Sequence, residues 1–511
     1  MKRSVLAAAA ALAAIWAQPA AAQKSADTIR IAINDPWVIL SSYHVNVDEA
    51  SNFYRAIYEP LISYDERGKK WVPILAKSMT QVSPTVMEFE LRDNVTFHNG
   101  NKFDADDVMA TIEMLIDPKS KVSFRQRYNW IAKIEKLNQY KVRITAKEPL
   151  VTNLQLLAFR MVMWDAETMK SLQDLEDYGR NPVGTGPMRA VYLDKNRGAL
   201  MEALPNHYGD KKYQRAGVKR VHGIPLPDRQ TQIAEIMTGG IDMIRNASPD
   251  DARELGANPN LDVTTLNASN IFYVAFDSQG TSGNKLFTDP RVRKAVWMAI
   301  DRDPIIEHIV PGGAKVVQKL KALCFETTTP ACNPTVEVPK YDPEGAKKLL
   351  AEAGYPDGIE YEYTVVTPQK PIAEAVAGSL LKANIRAKVR PVPISVYQKE
   401  RNEGKLVSWT ILFPSASHPD ASNILGTLMT GAVAKYYGDP TLFKLLEDGQ
   451  KEFDETKRAT IYQKAYDRVN SQYYIYPMSS IPNVFVHTKD IKIMDNPLMA
   501  GDTSITDYSW K

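Results

Sequence analysis

Seven histidines, His44, His98, His207, His222, His308, His418 and His487, are the side chains best suited to metal or acid–base chemistry, and none stands at metal-ligand spacing from another. The HExxH zinc pattern is missing, as are the GxSxG elbow of a serine nucleophile and the GxxxxGK[ST] phosphate loop. SASHPD does gather Ser415, Ser417, His418 and Asp420, but a nucleophile needs a base held by a third group, and neighbours in one loop do not supply that. An exported hydrolase is the remote alternative. The carboxylates Asp104, Asp106 and Asp107 open the segment DADDVMATIEML, where Asp104 reads as an N-cap and negative charge complements a helix start. No catalytic, metal or cofactor site is expected, which leaves binding. For binding, 24 Tyr and 8 Trp supply flat apolar walls with polar ends. Trp409 is the foremost of these, because SWTILFPSASHPD runs from a strand into a polar loop.

The elements that must position such a site alternate between strand and helix. TIRIAIN (28–34) alternates and reads as a first strand, and VMEFELRDNVTFHNG (86–100) reads as strand, turn and second strand closed by Asn99-Gly100. Val108, Ile112 and Leu115 share a face of the helix that Asp104 opens. In RVRKAVWMAID the spacing of Val292, Ala295, Val296, Ala299 and Ile300 predicts a helix capped at Asp289 and opened by Pro290. Arg291, Arg293, Lys294 and Arg302 read as its solvated basic face. Asp342 and Pro343 start another helix, with Ala346, Leu349, Leu350 and Ala353 as its stripe and Gly354 as its stop.

The chain has 511 residues, 44% of them apolar, and a net charge of +3 from 63 basic and 60 acidic side chains. That length calls for two or three lobes, and the near-balanced charge offers no footprint for nucleic acid. Residues 1–22 combine Lys2-Arg3, a short apolar run and Ala20-Ala21-Ala22, the pattern of a cleaved secretion signal; no Cys follows to carry a lipid. A mature chain starting at Gln23 in a periplasm is expected. In that oxidising setting Cys324 and Cys332 most simply pair, which would contribute about 2.5 kcal/mol in the chain-entropy treatment. Two free thiols, or a metal pair with no His inside the loop, are the alternatives.

Taken in order, IYEPLISYDERG with WVPILAKSM, FELRDNVTFHNGNKFDADDV, NPVGTGPMRAVY, FYVAFDS, FTDPRVRKAVWMAIDR and YDPEGAKKLLAEAGYPDG resemble the solute-binding proteins of peptide-type ABC transporters, solute-binding protein family 5. The resemblance implies an α/β, two-lobed periplasmic binding protein fold of the class with a double hinge crossover, plus a small extra α+β domain. Lobe I would comprise 23–64, 180–270 and 481–511, the extra domain 65–179 and lobe II 271–480. It implies a protein that closes on a peptide or peptide-like solute and hands it to an ABC permease; a metal chelate, sugar derivative or organic acid is the alternative, and a monomer is expected because a hinge that must open and close tolerates few fixed neighbours. In the family's peptide binders an aspartate three residues after the tryptophan pairs the ligand's ammonium, and here that position is Leu412. A buried ammonium without a partner costs several kcal/mol, so ordinary dipeptides need Asp420 or another acid at that point. The cleft residues implied are Trp409 as a wall, Thr410 and Ile411 as backbone partners beside Leu412, Tyr43 and Asn46 from SSYHVNVDEA, Arg160 for an anionic group, and Asn270 and Tyr273 at the hinge.

Overall fold

The computed structural model describes residues 27–511 except 35–36, 45–47, 66–67, 69, 124, 150, 267–269, 326–331, 415–419, 495 and 499–502. The signal segment, Asn46 and the Ser415–Ser417–His418 loop therefore lie outside the described residues. The first lobe is built on a seven-stranded sheet in the order Leu261–Leu266, Asn483–Thr488, Met243–Arg245, Thr28–Ile33, Arg220–Pro225, Gly198–Ala203, Met188–Asp194. The first strand expected over 28–34 is formed by Thr28–Ile33; it is central, parallel to both its neighbours, and buried from Ile29 to Ile33, so the alternation in its sequence is not matched by alternating burial. Burial takes Arg30 with it. Its guanidinium meets both oxygens of Asp242, at 2.9 and 2.7 Å, and the Gly240 carbonyl at 2.6 Å, the bidentate pairing a buried charge requires.

A four-stranded antiparallel sheet, Ala76–Ser83, Val86–Leu91, Lys141–Ala146 and Ile131–Asn138, carries the helix Ala105–Ile116. Asp104 caps that helix with Asp107 in a reciprocal capping box, and Val108, Ile112 and Leu115 are buried as their spacing predicts. The second strand expected before Asn99-Gly100 is absent. The chain instead makes a tight reversal with one bridge, Thr96 to Lys102, and Gly100 takes a positive φ of 99° there. This reversal belongs to a junction of three sequence motifs. His98 N–H bonds the Gly184 carbonyl, while Gly186 and Met188 N–H bond Ile57 and Ala56 at 2.8 and 3.0 Å. Any Cβ at Gly184 would lie 1.9 Å from the Ile57 carbonyl oxygen, so IYEPL and NPVGTGP fit together only with glycine there.

Buried apolar residues of this sheet and of the first lobe form one continuous cluster, which ties the two into one body. The second lobe has its own. Its sheet runs Ile385–Val392, Ile359–Val366, Ser408–Thr410, Asn270–Phe276; Leu412–Pro414 continues along the same edge of Asn270–Phe276 as Ser408–Thr410, and Ile475–Ser480 pairs with the opposite edge. Along Asn270–Phe276 the period of two sends Ile271, Tyr273 and Ala275 into one core and Phe272, Val274 and Phe276 into another. The helices Pro290–Ala299 and Pro343–Glu352 start at caps Asp289 and Asp342. Arg293 departs from the solvated face expected of it: it is buried and donates to the Gln472, Phe287 and Thr288 carbonyls. Cys324 and Cys332 form a disulfide.

Burial, with the charges of Asp165 and Asp104, pushes the Asp107 carboxyl up to about 7, even though Ala166 and Asp104 N–H groups bond it at 2.8 Å. A folded value above the unfolded one, roughly 3.9, means the fold favours the protonated acid. That contribution is complete below the unfolded value and is lost as pH rises through about 7. Urea unfolding is expected to need less denaturant at pH 8 than at pH 5.5, and Asp107→Asn to flatten the difference. A mutant profile parallel to the wild type would exonerate Asp107.

Candidate functional site

The two lobes are joined by adjacent strands, and Asn270 holds them side by side. Its carbonyl accepts from Ile481 N–H at 2.9 Å and its amide donates to the Ile481 carbonyl at 3.3 Å and to Asn483 at 3.5 Å. Tyr273, three residues on, is buried in the second lobe's core. Asn270 thus bonds directly to the strand pair's other member, and the Tyr273 ring is buried.

Trp409 does not form a cleft wall. Its ring is 2% exposed and packs on Tyr436, centroids 4.6 Å apart, and Tyr437, at 6.5 Å, inside that same core. Thr410 is likewise committed: its hydroxyl donates to the Tyr273 carbonyl, and its strand is paired on both edges, with Ile359–Val366 and with Asn270–Phe276. The edge that remains is one strand further on. Leu412–Pro414 pairs with Asn270–Phe272 only, so Ile411, Leu412 and Phe413, all partly buried, bring an unpaired strand edge among the described residues. Tyr43 is also turned inward: its hydroxyl donates to the Val162 carbonyl at 2.5 Å and its ring packs against Trp164 at 5.0 Å.

Arg160 is where a cleft cation was expected. It ends the helix Asn153–Arg160, where a cation complements the helix C-terminus, and it lines a cavity of about 140 Å³. Arg55, Arg127 and Arg215 line the same cavity. Burial first, and then the charge of Arg160, lower the Arg127 guanidinium to about 10. Arg215 pairs with Asp507 at 3.3 Å, and burial raises that carboxyl to about 6. Among the described residues the one carboxylate in the lining is Glu59, from the IYEPL motif. Burial alone would raise it, yet bonds from His207, Tyr208 and Gln214 leave it below its ordinary value. Thr185 at 2.9 Å and Tyr208 at 2.5 Å hold one oxygen, while Gln214 and His207, at 3.4 Å, hold the other. Sequence reasoning missed Arg55, Arg127, Arg215 and Glu59. A carboxylate flanked by Ile57, Tyr58, Pro60 and Leu61 was the one legible signal, since such a charge must find buried donors.

Asp420, the acid expected to stand in for an aspartate at position 412, is buried and held by Arg458 at 2.7 and 2.8 Å. It also caps the helix Ala421–Met429 and accepts from Gln155 at 3.1 Å. Gln155 lies on the helix that ends at Arg160, and Val151 N–H bonds the Gln450 carbonyl at 3.1 Å, so this region touches the second lobe. No group of three His, Cys, Asp or Glu among the described residues is placed to hold a metal ion.

Two α/β lobes hung on a pair of hydrogen-bonded crossover strands define a bilobal binding protein, a class that works by closing its lobes over a solute. Residues 70–435 match the model for bacterial extracellular solute-binding proteins, family 5 (middle region), and the chain belongs to that family. It is 25% identical over 467 residues to di/tripeptide-binding protein 1 of Pseudomonas aeruginosa, covering 83% of each chain. It is 26% identical over 494 residues to the glutathione-binding protein GsiB of Pectobacterium atrosepticum, covering 92% of this chain and 91% of that one. Among solved structures, HbpA2 from Haemophilus parasuis superposes with a TM-score of 0.76 at 22% identity, over 95% of this chain and all of that one. No described helix is long and apolar enough to cross a membrane.

Proposed function

We propose that this protein is the periplasmic solute-binding component of an ABC importer, and that it captures a peptide or peptide-like solute between its lobes and delivers it to the permease. The observation that carries the reading is the hinge: two crossover strands bonded through Asn270 and Ile481 allow the lobes to pivot while the first lobe and the extra domain, sharing one core, move together. Solute contacts from both bodies add only when the lobes are closed, so binding shifts the hinge equilibrium. The relatives that bind di- and tripeptides or glutathione support the peptide class. The edge of Leu412–Pro414 that no described strand pairs supports it too, since an extended backbone can add to such an edge. We assign no catalytic step to it, place the lobe limits at 64/65, 179/180, 270/271 and 480/481, and take the mature chain as a monomer beginning at Gln23.

The test is native mass spectrometry of the exported protein, followed by denaturation and identification of the released solute. One peptide-like molecule per chain is expected, on a chain starting at Gln23. A protein that carries nothing and binds no member of a di- and tripeptide library would overturn the reading.

A further inference from the structure

The cavity beside Arg160 takes part of its wall from the C-terminal end of the chain, where Asn496, Leu498, Ser504 and Thr506 line it together with Arg215. Behind that wall stands Asp507, fully buried and outside the lining. One of its oxygens accepts from the Arg215 guanidinium at 3.3 Å and from the Asn496 amide at 3.2 Å. The other accepts from the same amide at 3.0 Å and from Ser504 N–H at 2.8 Å. Three lining residues from two chain segments thus converge on one carboxylate. Asn496 passes the constraint on, since its side-chain oxygen accepts from Leu498 N–H at 3.0 Å.

The backbone of this wall is seated without Asp507's side chain. The Ser504 hydroxyl donates to the Asn52 carbonyl at 3.1 Å, and Gly217 N–H bonds the Thr506 carbonyl at 3.2 Å. A Cβ at Gly217 would lie 2.2 Å from the Tyr508 carbonyl oxygen, so the two segments touch closely. What the carboxylate adds is a charge-assisted hold on the Arg215 and Asn496 side chains. Burial raises it to about 6, against the bonds from Asn496, Ser504 and Arg215, so its charge is a cost that seating the backbone does not require. Besides Arg215, the charges on the elements around it are directed elsewhere. Arg245 donates to the Tyr508 hydroxyl at 3.0 Å, Glu49 accepts from Asn34 N–H at 2.9 Å, Lys212 pairs with Asp65 at 3.2 Å, and Lys492 is exposed.

We propose that Asp507 is a positioning residue of the solute site: from behind the cavity it sets the orientation of Arg215 and Asn496, and so the shape and polarity of the wall that meets the captured solute. Contacts fixed before the solute arrives do not have to be ordered by it, which is how a residue that never touches the solute raises affinity. The proposal rests on the solute-binding reading above and adds the residue that prepares the site.

The signal-free protein, stripped of any solute by unfolding and refolding, is titrated calorimetrically at pH 7.0 and 5.0 with glutathione and with di- and tripeptides lacking Asp, Glu and His. Over that range Asp507 passes from mostly charged to mostly neutral, and the expected wild-type affinity for the members that bind falls about fivefold. Asp507→Asn holds the neutral form throughout. It is expected to bind about tenfold more weakly than wild type at pH 7.0 and to change by less than about twofold between the two values. Circular dichroism establishes that it folds. Asn496→Ala cuts the same link from the cavity side and should weaken binding in the same direction, which decides the matter if Asp507→Asn does not fold. A folded Asp507→Asn that binds as wild type does at both values, or a flat wild-type profile, overturns the positioning role and leaves the peptide reading standing. A wild-type protein that binds no member overturns that reading and this proposal with it.

Discussion

Trp409→Ala is expected to lower the unfolding free energy of the second lobe by about 3–5 kcal/mol, the range for deleting a large aromatic from a packed core. The ring is 2% exposed and lies in the core that also holds Tyr273, Tyr397, Tyr436 and Tyr437. Its strand is central, paired antiparallel at Ala275 and parallel at Thr364, so the backbone cannot easily relax into the space left. Urea unfolding followed by near-ultraviolet circular dichroism reads the loss directly, and a two-stage transition would assign it to one lobe. Trp409→Phe separates structure from recognition. It keeps most of the apolar volume, and affinity for the captured solute is expected to stay within about twofold. A tenfold loss of affinity in a folded Trp409→Phe protein would return Trp409 to the cleft.

The contrast between Trp409 and Arg160 shows what a sequence can and cannot tell here. Helix starts were legible because a cap is a local matter: Asp104, Asp289 and Asp342 each bond an N–H two or three residues ahead. The two-lobed class was legible because six motifs kept one order, and the structure shows why two of them must coexist: Gly184 leaves no room beside Ile57 for any other residue. Burial of Trp409 depends instead on Tyr436 and Tyr437, which reach it from a separate helical segment. No pattern local to SWTIL records that. The first strand was legible but its complete burial was not, since alternation of Ile29, Ile31 and Ile33 says nothing of Asp242, whose carboxylate lets Arg30 be buried between them. The arginine cavity was the least legible feature. Arg160 could be singled out by its place in the family order, but Arg55, Arg127 and Arg215 acquire meaning only when four chain segments converge.

Asp420→Ala is expected to cost about 3–5 kcal/mol, because removing one member of a buried ion pair leaves the other charged and uncompensated. Arg458 is 8% exposed, and beyond Asp420 it has the Gly449 carbonyl at 2.9 Å and the face of Tyr462 at 5.0 Å. Neither is an anion. The same mutation removes the cap that accepts from Ser422 N–H at 2.8 Å, a further loss of about 1 kcal/mol that falls within this range. Asp420→Asn keeps a cap acceptor and should recover that part only. Combining Asp420→Asn with Arg458→Met removes both charges and keeps apolar bulk, so the double variant is expected to be more stable than Asp420→Ala by at least 2 kcal/mol in urea unfolding. A double variant no better than Asp420→Ala would show that the pair is not the source of the loss. Gln155→Ala tests the remaining role of this carboxylate. It deletes only the 3.1 Å bond that crosses between the lobes, so unfolding should change by less than about 1 kcal/mol. Small-angle scattering should nonetheless report a larger radius of gyration if that contact helps hold the lobes together, and an unchanged radius would confine Asp420 to its work inside the second lobe.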